Sequence, residues 1–253
     1  MGRVLTRGGE AAAVAAKAPN EVTGLTGWWR SDGPLWQNAG RTTAAVAEND
    51  PIHTWDDKSG AGRHLTVLFA AAALKLSVVN GLPAVAFDGV NDCHQSVAVS
   101  NFITNSAYCV YCVFNVTSIS TDGAGSTNCG LYGTAASAYF GLALKSTGSL
   151  AIAYNFDGNS DTATRPLSLS TWSATRQRHA GGSLYLKLAG GGEASAASGN
   201  TSVLTGLLHV GKATSSSFTP LSIADLFAYN VDPSADDRAA LEQYIFERYN
   251  IAW

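Results

Sequence analysis

The sequence predicts an all-β protein: an antiparallel β-sandwich with an N-terminal arm and a C-terminal α-helix. Short apolar runs recur between Gly- and Ser-rich turns along most of the 253 residues. Hydrophobic residues make up 46% of the chain and charged residues 14%, which is ample for a core. The last thirty or so residues combine one strand-like run with one helical pattern. Sandwiches of this length commonly form a single domain.

The N-terminal stretch differs from the rest of the chain. Residues 1–22 are Ala-rich and contain no aromatic residue to anchor a core. Such a segment does not bury enough apolar surface to fold alone. We therefore predict an arm over 1–22 that contacts other subunits of an assembly, and a single β-domain over 23–253.

The arm is not expected to be a secretory signal. Arg3 and Arg7 precede an apolar run at 11–16, but that run is six residues long and is bounded by Glu10 and Lys17. A signal peptide needs a longer uncharged core.

The clearest local pattern is a β-hairpin centred on Asn80-Gly81. Leu74, Leu76 and Val78 alternate with polar residues before it, and an apolar run at 82–87 follows. Asn-Gly favours a two-residue hairpin turn because both positions accept a positive φ.

Residues 108–114 are apolar on both alternating faces, which indicates a strand buried on both sides. Cys109 and Cys112 lie three apart on this strand and face opposite ways, so they predict buried apolar side chains rather than a metal or redox pair. A further turn is predicted at Gly181-Gly182. Additional strands are predicted at 139–144, 149–154, 171–175, 183–188, 204–210 and 221–229.

The chain ends in a predicted helix over 234–249. Either Asp232 or Ser234 can cap the start of the helix, and Ser234 with Asp237 three residues later resembles a capping box. Pro233 suits the first helical position. Apolar side chains then recur at helical spacing, which places the helix on a larger body. They are Leu241, Tyr244, Ile245 and Tyr249.

Four segments together resemble the laminin-G/concanavalin A-like family of bacterial and phage surface proteins. The resemblance covers 22–253 and implies a jelly roll of two antiparallel sheets. Because this fold carries lectins, glycosidases, adhesive modules and structural domains, it does not fix a function. The segments are Gly24-Leu-Thr-Gly-Trp-Trp-Arg-Ser-Asp32, Trp55-Asp-Asp-Lys-Ser-Gly-Ala-Gly-Arg-His-Leu-Thr66, Asn80-Gly-Leu-Pro-Ala-Val-Ala-Phe-Asp-Gly-Val-Asn-Asp92 and the C-terminal strand and helix.

Charge and hydropathy exclude two classes of partner. The formal net charge is -3 and the isoelectric point is about 5.9. Nucleic-acid binding requires clustered Lys and Arg, so neither nucleic acid nor an anionic membrane is expected as a partner. No apolar run reaches the length of a membrane span.

The glutamates predict that the chain is not an enzyme. Hydrolases of the resembled superfamily carry two glutamates close together on one strand, and retaining chemistry needs carboxyls roughly 5 Å apart. None of the six glutamates here lies two or four residues from another in a predicted strand. Glu193 is predicted to lie in a loop-like stretch. No catalytic residue is therefore predicted.

Four aspartates are candidate calcium ligands, because calcium takes carboxylates and carbonyls from loops. They are Asp56, Asp57, Asp88 and Asp92. The favoured interpretation is that each caps its own turn, since no recognised ligand spacing appears. The prediction is no cofactor, with calcium as the alternative.

Aromatic side chains in loops are candidates for stacking on sugars. Trp28 and Trp29 must face opposite ways on a strand, so one is expected in the core and the other nearer solvent or another subunit. Trp36, in a Gly- and Pro-flanked stretch, is the best exposed candidate. Together with Asp88, Asn91 and Asp92 it forms the predicted glycan-binding site.

These observations lead to a functional prediction: a non-enzymatic, multicopy surface protein of a virion, made in the cytoplasm, whose lectin-like domain binds host or environmental glycans. A lectin-like fold usually acts outside the cell, and virion proteins reach that location by lysis without an export signal. The alternatives are an exported carbohydrate-binding module or adhesin at the cell surface, and a glycoside hydrolase or lyase of the same fold.

Overall fold

The computed structural model describes residues 14–98, 103, 107–119, 129–134, 140–147, 150–157, 163–198, 206–212 and 218–253. Within these ranges the chain forms two nine-stranded antiparallel sheets, a 3-10 turn at Pro19–Glu21 and one α-helix, α1, at Ala235–Tyr249. The prediction of an antiparallel jelly-roll β-sandwich with a C-terminal helix is confirmed. Across the described ranges, no helix has the length and apolar character needed to span a bilayer.

The central sheet lies between the second sheet and α1. Its strands run in the order β16-β15-β14-β9-β18-β7-β6-β3, and β1 pairs with the second half of β18, beyond the part that pairs with β7. The bounds are β1 Leu25–Arg30, β3 Pro51–Ile52, β6 Ala72–Val79, β7 Leu82–Asp88, β9 Tyr108–Val116, β14 Ser173–Ala180, β15 Ser183–Leu188, β16 Glu193–Ala197 and β18 Pro220–Tyr229.

The outer sheet covers one face of the central sheet. Its strands run in the order β13-β12-β11-β10-β17-β8-β5-β4-β2. The bounds are β2 Leu35–Trp36, β4 Thr54–Trp55, β5 Leu65–Val67, β8 His94–Ala98, β10 Cys129–Thr134, β11 Phe140–Thr147, β12 Leu150–Asp157, β13 Ala163–Leu167 and β17 Leu207–Val210.

Strand β9 shows how alternation builds two cores. Cys112 and its same-face neighbours pack into the core between the sheets, whereas Cys109 and Tyr111 pack into the core beneath α1. The prediction of a strand buried on both faces is confirmed. Trp29 packs into the core between the sheets and Trp28 into the core beneath α1. Both are buried, so the expectation that one of them lies nearer solvent is wrong. The cause is α1, which covers the second face.

Helix α1 forms as the sequence predicts. The Ser234 side chain accepts a hydrogen bond from the Asp237 amide at 3.1 Å, and Asn250 closes the helix in the left-handed conformation. Leu241, Ile245 and Tyr249 are buried on the central sheet. Burial of these apolar side chains, which recur at helical spacing, therefore holds α1 against the central sheet as a third layer beside the two sheets.

The hairpin prediction is also confirmed, since Asn80 and Gly81 have φ of 47° and 76° between β6 and β7. Several predicted strand bounds differ from the structure by a few residues, and the difference that concerns the site is in β14: this strand begins at Ser173, so Thr171 and Trp172 precede it. Turn residues 169–171 bend the chain before pairing starts, and Ser170 has a φ of 56°.

Part of the predicted arm packs on its own domain. Lys17 bonds to the Asp237 carboxylate at 2.6 Å, the Tyr229 hydroxyl donates to the Pro19 carbonyl at 2.9 Å, and Val22 is buried beneath α1. Residues 1–13 lie outside the described ranges. A contact between the arm and other subunits remains a prediction.

Candidate functional site

A cleft of about 510 Å³ lies where the β6–β7 hairpin, the segment before β14, the end of β15 and the end of α1 meet. These four segments are far apart in the chain, and sheet pairing and helix packing bring them together. The lining residues are Val78, Val79, Asn80, Pro166, Leu167, Ser168, Thr171, Trp172, Ser173, Leu188, Ala189, Gly190, Tyr249, Asn250, Ile251 and Ala252.

Trp172 is the large aromatic side chain on the β14 side of the cleft. It is half-buried, because part of it packs against the core beneath α1. The turn that carries it is fixed by the Ser170 amide, which donates to the Val116 carbonyl at 2.7 Å. The cleft thus contains an indole that packs against the core and follows a turn held by a backbone hydrogen bond.

Two asparagines provide amides at the cleft. Asn80 and Asn250 both adopt left-handed conformations, which Asn tolerates better than most residues. The Asn80 Nδ2 donates to the Arg248 carbonyl at 2.9 Å, and the Asn250 amide donates to the Phe246 carbonyl at 2.8 Å. The Asn80 bond ties the hairpin to the end of α1, whereas the Asn250 backbone bond closes the helix itself.

The helix wall of the cleft is anchored by Asp225, which is fully buried under α1. Its carboxylate accepts hydrogen bonds from Trp28 Nε1 at 2.9 Å, Tyr244 at 2.9 Å and Tyr249 at 3.0 Å. Burial raises the pKa of Asp225 to about 6, although these donors and Arg30 oppose the shift. Since Tyr249 also lines the cleft, Asp225 positions that wall.

An ionic network fixes the other end of α1. Arg176 contacts both Glu193, at 2.7 Å, and Glu242, while Arg178 joins Glu193 to Asp232. Burial acts to raise the pKa of Glu193, but hydrogen bonds from Arg178 and Arg176 outweigh it and lower that pKa to about 2.

The network corrects one sequence assignment. The sequence predicts a loop at Glu193, yet this residue begins β16 and shares Arg176 with Glu242 on α1. The Gly-rich residues before it obscured this short edge strand.

Trp36, the aromatic residue predicted to bind a ligand, lies outside the cleft. It is half-buried on β2, and its Nε1 donates to the Asp56 carboxylate at 2.9 Å. The same carboxylate contacts Arg41 at 3.1 Å and His64 at 2.9 Å. The indole nitrogen and Asp56 are therefore engaged with the chain itself.

The other aspartates predicted as ligand or calcium residues accept hydrogen bonds from backbone amides. Asp57 accepts hydrogen bonds from the amides of Trp28 at 2.9 Å and Ser59 at 2.8 Å. Asp88 accepts from the Asn91 and Asp92 amides at 3.1 and 3.3 Å, and Asp92 accepts from the Asp88 amide at 2.9 Å.

Asp88, Asn91 and Asp92 share one loop, but Trp36 is not among the residues that line the pocket beside it. In the part of the chain that the structure describes, no three His, Cys, Asp or Glu side chains group as metal ligands.

Sequence reasoning missed the residues that form the cleft. The sequence pattern predicts a strand at Trp172 and only a turn at Asn80, whereas both residues line the cleft. The Ser-Thr pair before Trp172 carries a turn signal that would have placed it outside the strand.

No family model and no curated protein matches this chain. Solved structures do match. Trypanosoma rangeli sialidase in complex with the inhibitor DANA matches 87% of the chain and 33% of its own length, with 14% identity and a TM-score of 0.51. An arabinofuranosidase complexed with arabinofuranosyl-alpha-1,2-xylobiose matches 88% of the chain and 59% of its own length, with 15% identity and a TM-score of 0.58.

A third match is to an isolated domain. Domain 4 of AbnA, a GH43 extracellular arabinanase from Geobacillus stearothermophilus, was solved in complex with arabinotriose. It matches 87% of the chain and 99% of its own length, with 11% identity and a TM-score of 0.56. The chain spans only about a third of the sialidase. At these identities the matches show the fold. The chain therefore has the β-sandwich fold that is also present in these proteins.

These matches overturn the prediction that the chain is not an enzyme. Sialidases and arabinan-degrading enzymes are among the proteins that share its fold. The prediction was drawn from one catalytic pattern, a strand-borne pair of glutamates, and the absence of that pattern does not exclude catalysis. The prediction is therefore wrong and is withdrawn.

Proposed function

We propose that this chain is a glycan-binding module and that the cleft beside Trp172 is its binding site. The observation that carries the proposal is the composition of the cleft: one half-buried indole in a lining that combines apolar side chains with amide and hydroxyl groups. Sugars present apolar C–H faces and many hydroxyls, so they are bound by stacking on aromatic rings and by a few placed polar groups.

The fold supports the same proposal. Domain 4 of AbnA, matched over 99% of its length, was solved in complex with arabinotriose. A domain of this fold thus forms a complex with a saccharide as a separate unit. The match favours a carbohydrate-binding module over the virion structural role predicted from the sequence.

The cleft is well suited to binding because its parts are already ordered. Trp172 is fixed by the turn before β14, and Asn80 by its bond to the Arg248 carbonyl. Tyr249 is held by Asp225. A ligand then loses less affinity to the ordering of side chains.

The proposed site is tested with a glycan array and titration calorimetry on the full chain, Trp172→Ala and Trp36→Ala. We expect Trp172→Ala to weaken binding about tenfold or more, through the loss of stacking and apolar contact. Trp36→Ala is the matched control, and its affinity should stay within about twofold of the wild type. Binding by Trp172→Ala at the wild-type level, or no binding by the folded wild type, would contradict the proposal.

The same oligosaccharides are then incubated with the wild type and analysed for cleavage. The glycosidases that share the fold make hydrolysis a direct outcome to measure. Release of shorter products would identify an enzyme that acts on the glycan bound in the cleft.

The cellular setting remains a prediction from the sequence. A virion surface and a cell surface both place a glycan-binding module outside a cell, and multicopy display would strengthen weak binding. Mass spectrometry of purified phage particles, compared with secreted and surface fractions, separates the two settings.

A further inference from the structure

We infer that the cleft selects uncharged glycans and rejects acidic ones such as sialylated or uronic-acid saccharides. This inference rests on the proposed function, because it names the ligand class of the same site. Its first support is the lining, in which every side chain that the structure describes is apolar or uncharged and polar.

A carboxylate placed in such a cleft would be poorly stabilised. Removing an ionised carboxylate from water is unfavourable unless it is paired and hydrogen-bonded. Sites that recognise carboxylates therefore use Arg or Lys, whose charge-assisted hydrogen bonds are about twice as strong as neutral ones. The groups here are the amides of Asn80 and Asn250 and the hydroxyls of Ser168, Thr171 and Ser173.

Two cations that neighbour the lining residues in sequence are already paired. Lys187, beside Leu188, contacts Glu242 at 2.8 Å. Arg248, beside Tyr249, contacts Asp32. Neither is a free charge for an acidic ligand.

A third cation, Arg165, precedes the lining residue Pro166 and extends toward Gly192, on the turn before β16. It is not among the lining residues. Because it is the cation that an acidic ligand could recruit, the experiment below includes a variant of it.

A second, independent observation is the direction of α1. Its C-terminal residue, Tyr249, lines the cleft, so the negative end of the helix dipole lies there. That end carries the equivalent of roughly half a negative charge, which disfavours anions within the last turn.

The class of ligand is tested with matched pairs of saccharides that differ in a carboxylate. Suitable pairs are lactose with 3′-sialyllactose and galactotriose with trigalacturonic acid, with arabinotriose as a further neutral probe. We expect the neutral member of any pair that binds to bind at least about tenfold more tightly. Arg165→Gln should leave this ratio unchanged.

Ser168→Lys adds a cation at an exposed lining position, and Val46→Lys adds one at an exposed position outside the cleft. We expect Ser168→Lys to reduce the ratio of neutral to acidic affinity at least threefold. Val46→Lys should leave that ratio unchanged, because salt screens a charge that lies far from the ligand. Near-equal effects of the two variants would overturn the inference.

The outcomes separate the inference from the proposed function. If the wild type prefers acidic members and Trp172→Ala abolishes that binding, the cleft binds glycans and the selectivity inference is wrong. If no saccharide binds to the folded wild type, the proposed function fails and the inference fails with it. Neutral preference that is lost together with binding in Trp172→Ala supports both.

Discussion

Two regions of the molecule place a half-buried tryptophan near polar side chains, but they use those side chains differently. Around Trp36, the Asp56 carboxylate bonds the indole and two neighbouring side chains. In the cleft, the polar side chains around Trp172 come from three separate segments and line open space. Polar residues in a turn motif commonly stabilise that turn. A binding site, in contrast, arises where separate segments converge.

The largest loss of stability is expected when Asp225, which anchors the helix wall of the cleft, is replaced. Asp225→Ala leaves Trp28, Tyr244 and Tyr249 without their shared acceptor, and each unpaired buried donor costs about 1–3 kcal/mol. We expect the free energy of unfolding, measured by urea denaturation, to fall by about 4 kcal/mol. A fall of less than about 1 kcal/mol would show that Asp225 does not anchor the wall. Asp225→Asn, which keeps one acceptor, should be less destabilised.

The role of Asp225 can also be tested through the pH dependence of the free energy of unfolding. The pKa of Asp225 is about 6 in the folded protein, against 3.8 for the unfolded chain, so the folded state binds the proton more tightly. Stability should therefore fall as the pH rises from about 4 to about 6, by about 3 kcal/mol from this group.

The control for this dependence is Asp225→Asn, in which the decrease over that pH window should disappear. Glu193, whose pKa is lowered to about 2, loses its contribution only as the pH falls below about 4.5. An unchanged profile in Asp225→Asn would contradict the assignment.

Asp57 tests whether the loop aspartates stabilise the fold without binding the ligand. Asp57 accepts hydrogen bonds from the amides of Trp28, Ser59 and Arg63. Asp57→Ala should reduce the free energy of unfolding by about 2 kcal/mol through the lost capping bonds. Glycan affinity of the folded variant should match the wild type, since Asp57 is not in the cleft. A loss of affinity without a loss of stability would assign the binding role to this loop instead.

The smallest expected effect is at Asn80, where a lining amide can be removed without changing the backbone. Asn80→Gly keeps the positive φ of 47° accessible and deletes the bond to the Arg248 carbonyl. We expect stability to change by less than about 1 kcal/mol and glycan affinity to fall about threefold. An affinity equal to that of the wild type would remove Asn80 from the site.

The sequence predicts those elements whose determinants are local. The cap at Ser234, the Asn80-Gly81 turn and the two apolar faces of β9 each depend on residues a few positions apart, and all three are present. Two-residue strands such as Leu35–Trp36 and Thr54–Trp55 have no periodicity to detect, and they form only because neighbouring strands pair with them.

The cleft could not be predicted because its contacts join distant parts of the chain. The bond between Asn80 and the Arg248 carbonyl spans 168 residues. The placement of Trp172 depends on where pairing of β14 begins, and element boundaries are set by tertiary pairing more than by local propensity. The loop containing Asp88 and Asp92 is predictable as a turn because its hydrogen bonds join residues no more than four positions apart.

The most direct test of the central claim is to follow the six tryptophan indole N–H signals in a two-dimensional NMR spectrum during titration with a neutral oligosaccharide that binds. Trp172→Phe and Trp36→Phe assign the two signals of interest. The cleft assignment predicts that the Trp172 signal shifts with a saturating dependence on ligand while the Trp36 signal stays in place. A saturating shift of the Trp36 signal with no change at Trp172 would contradict it.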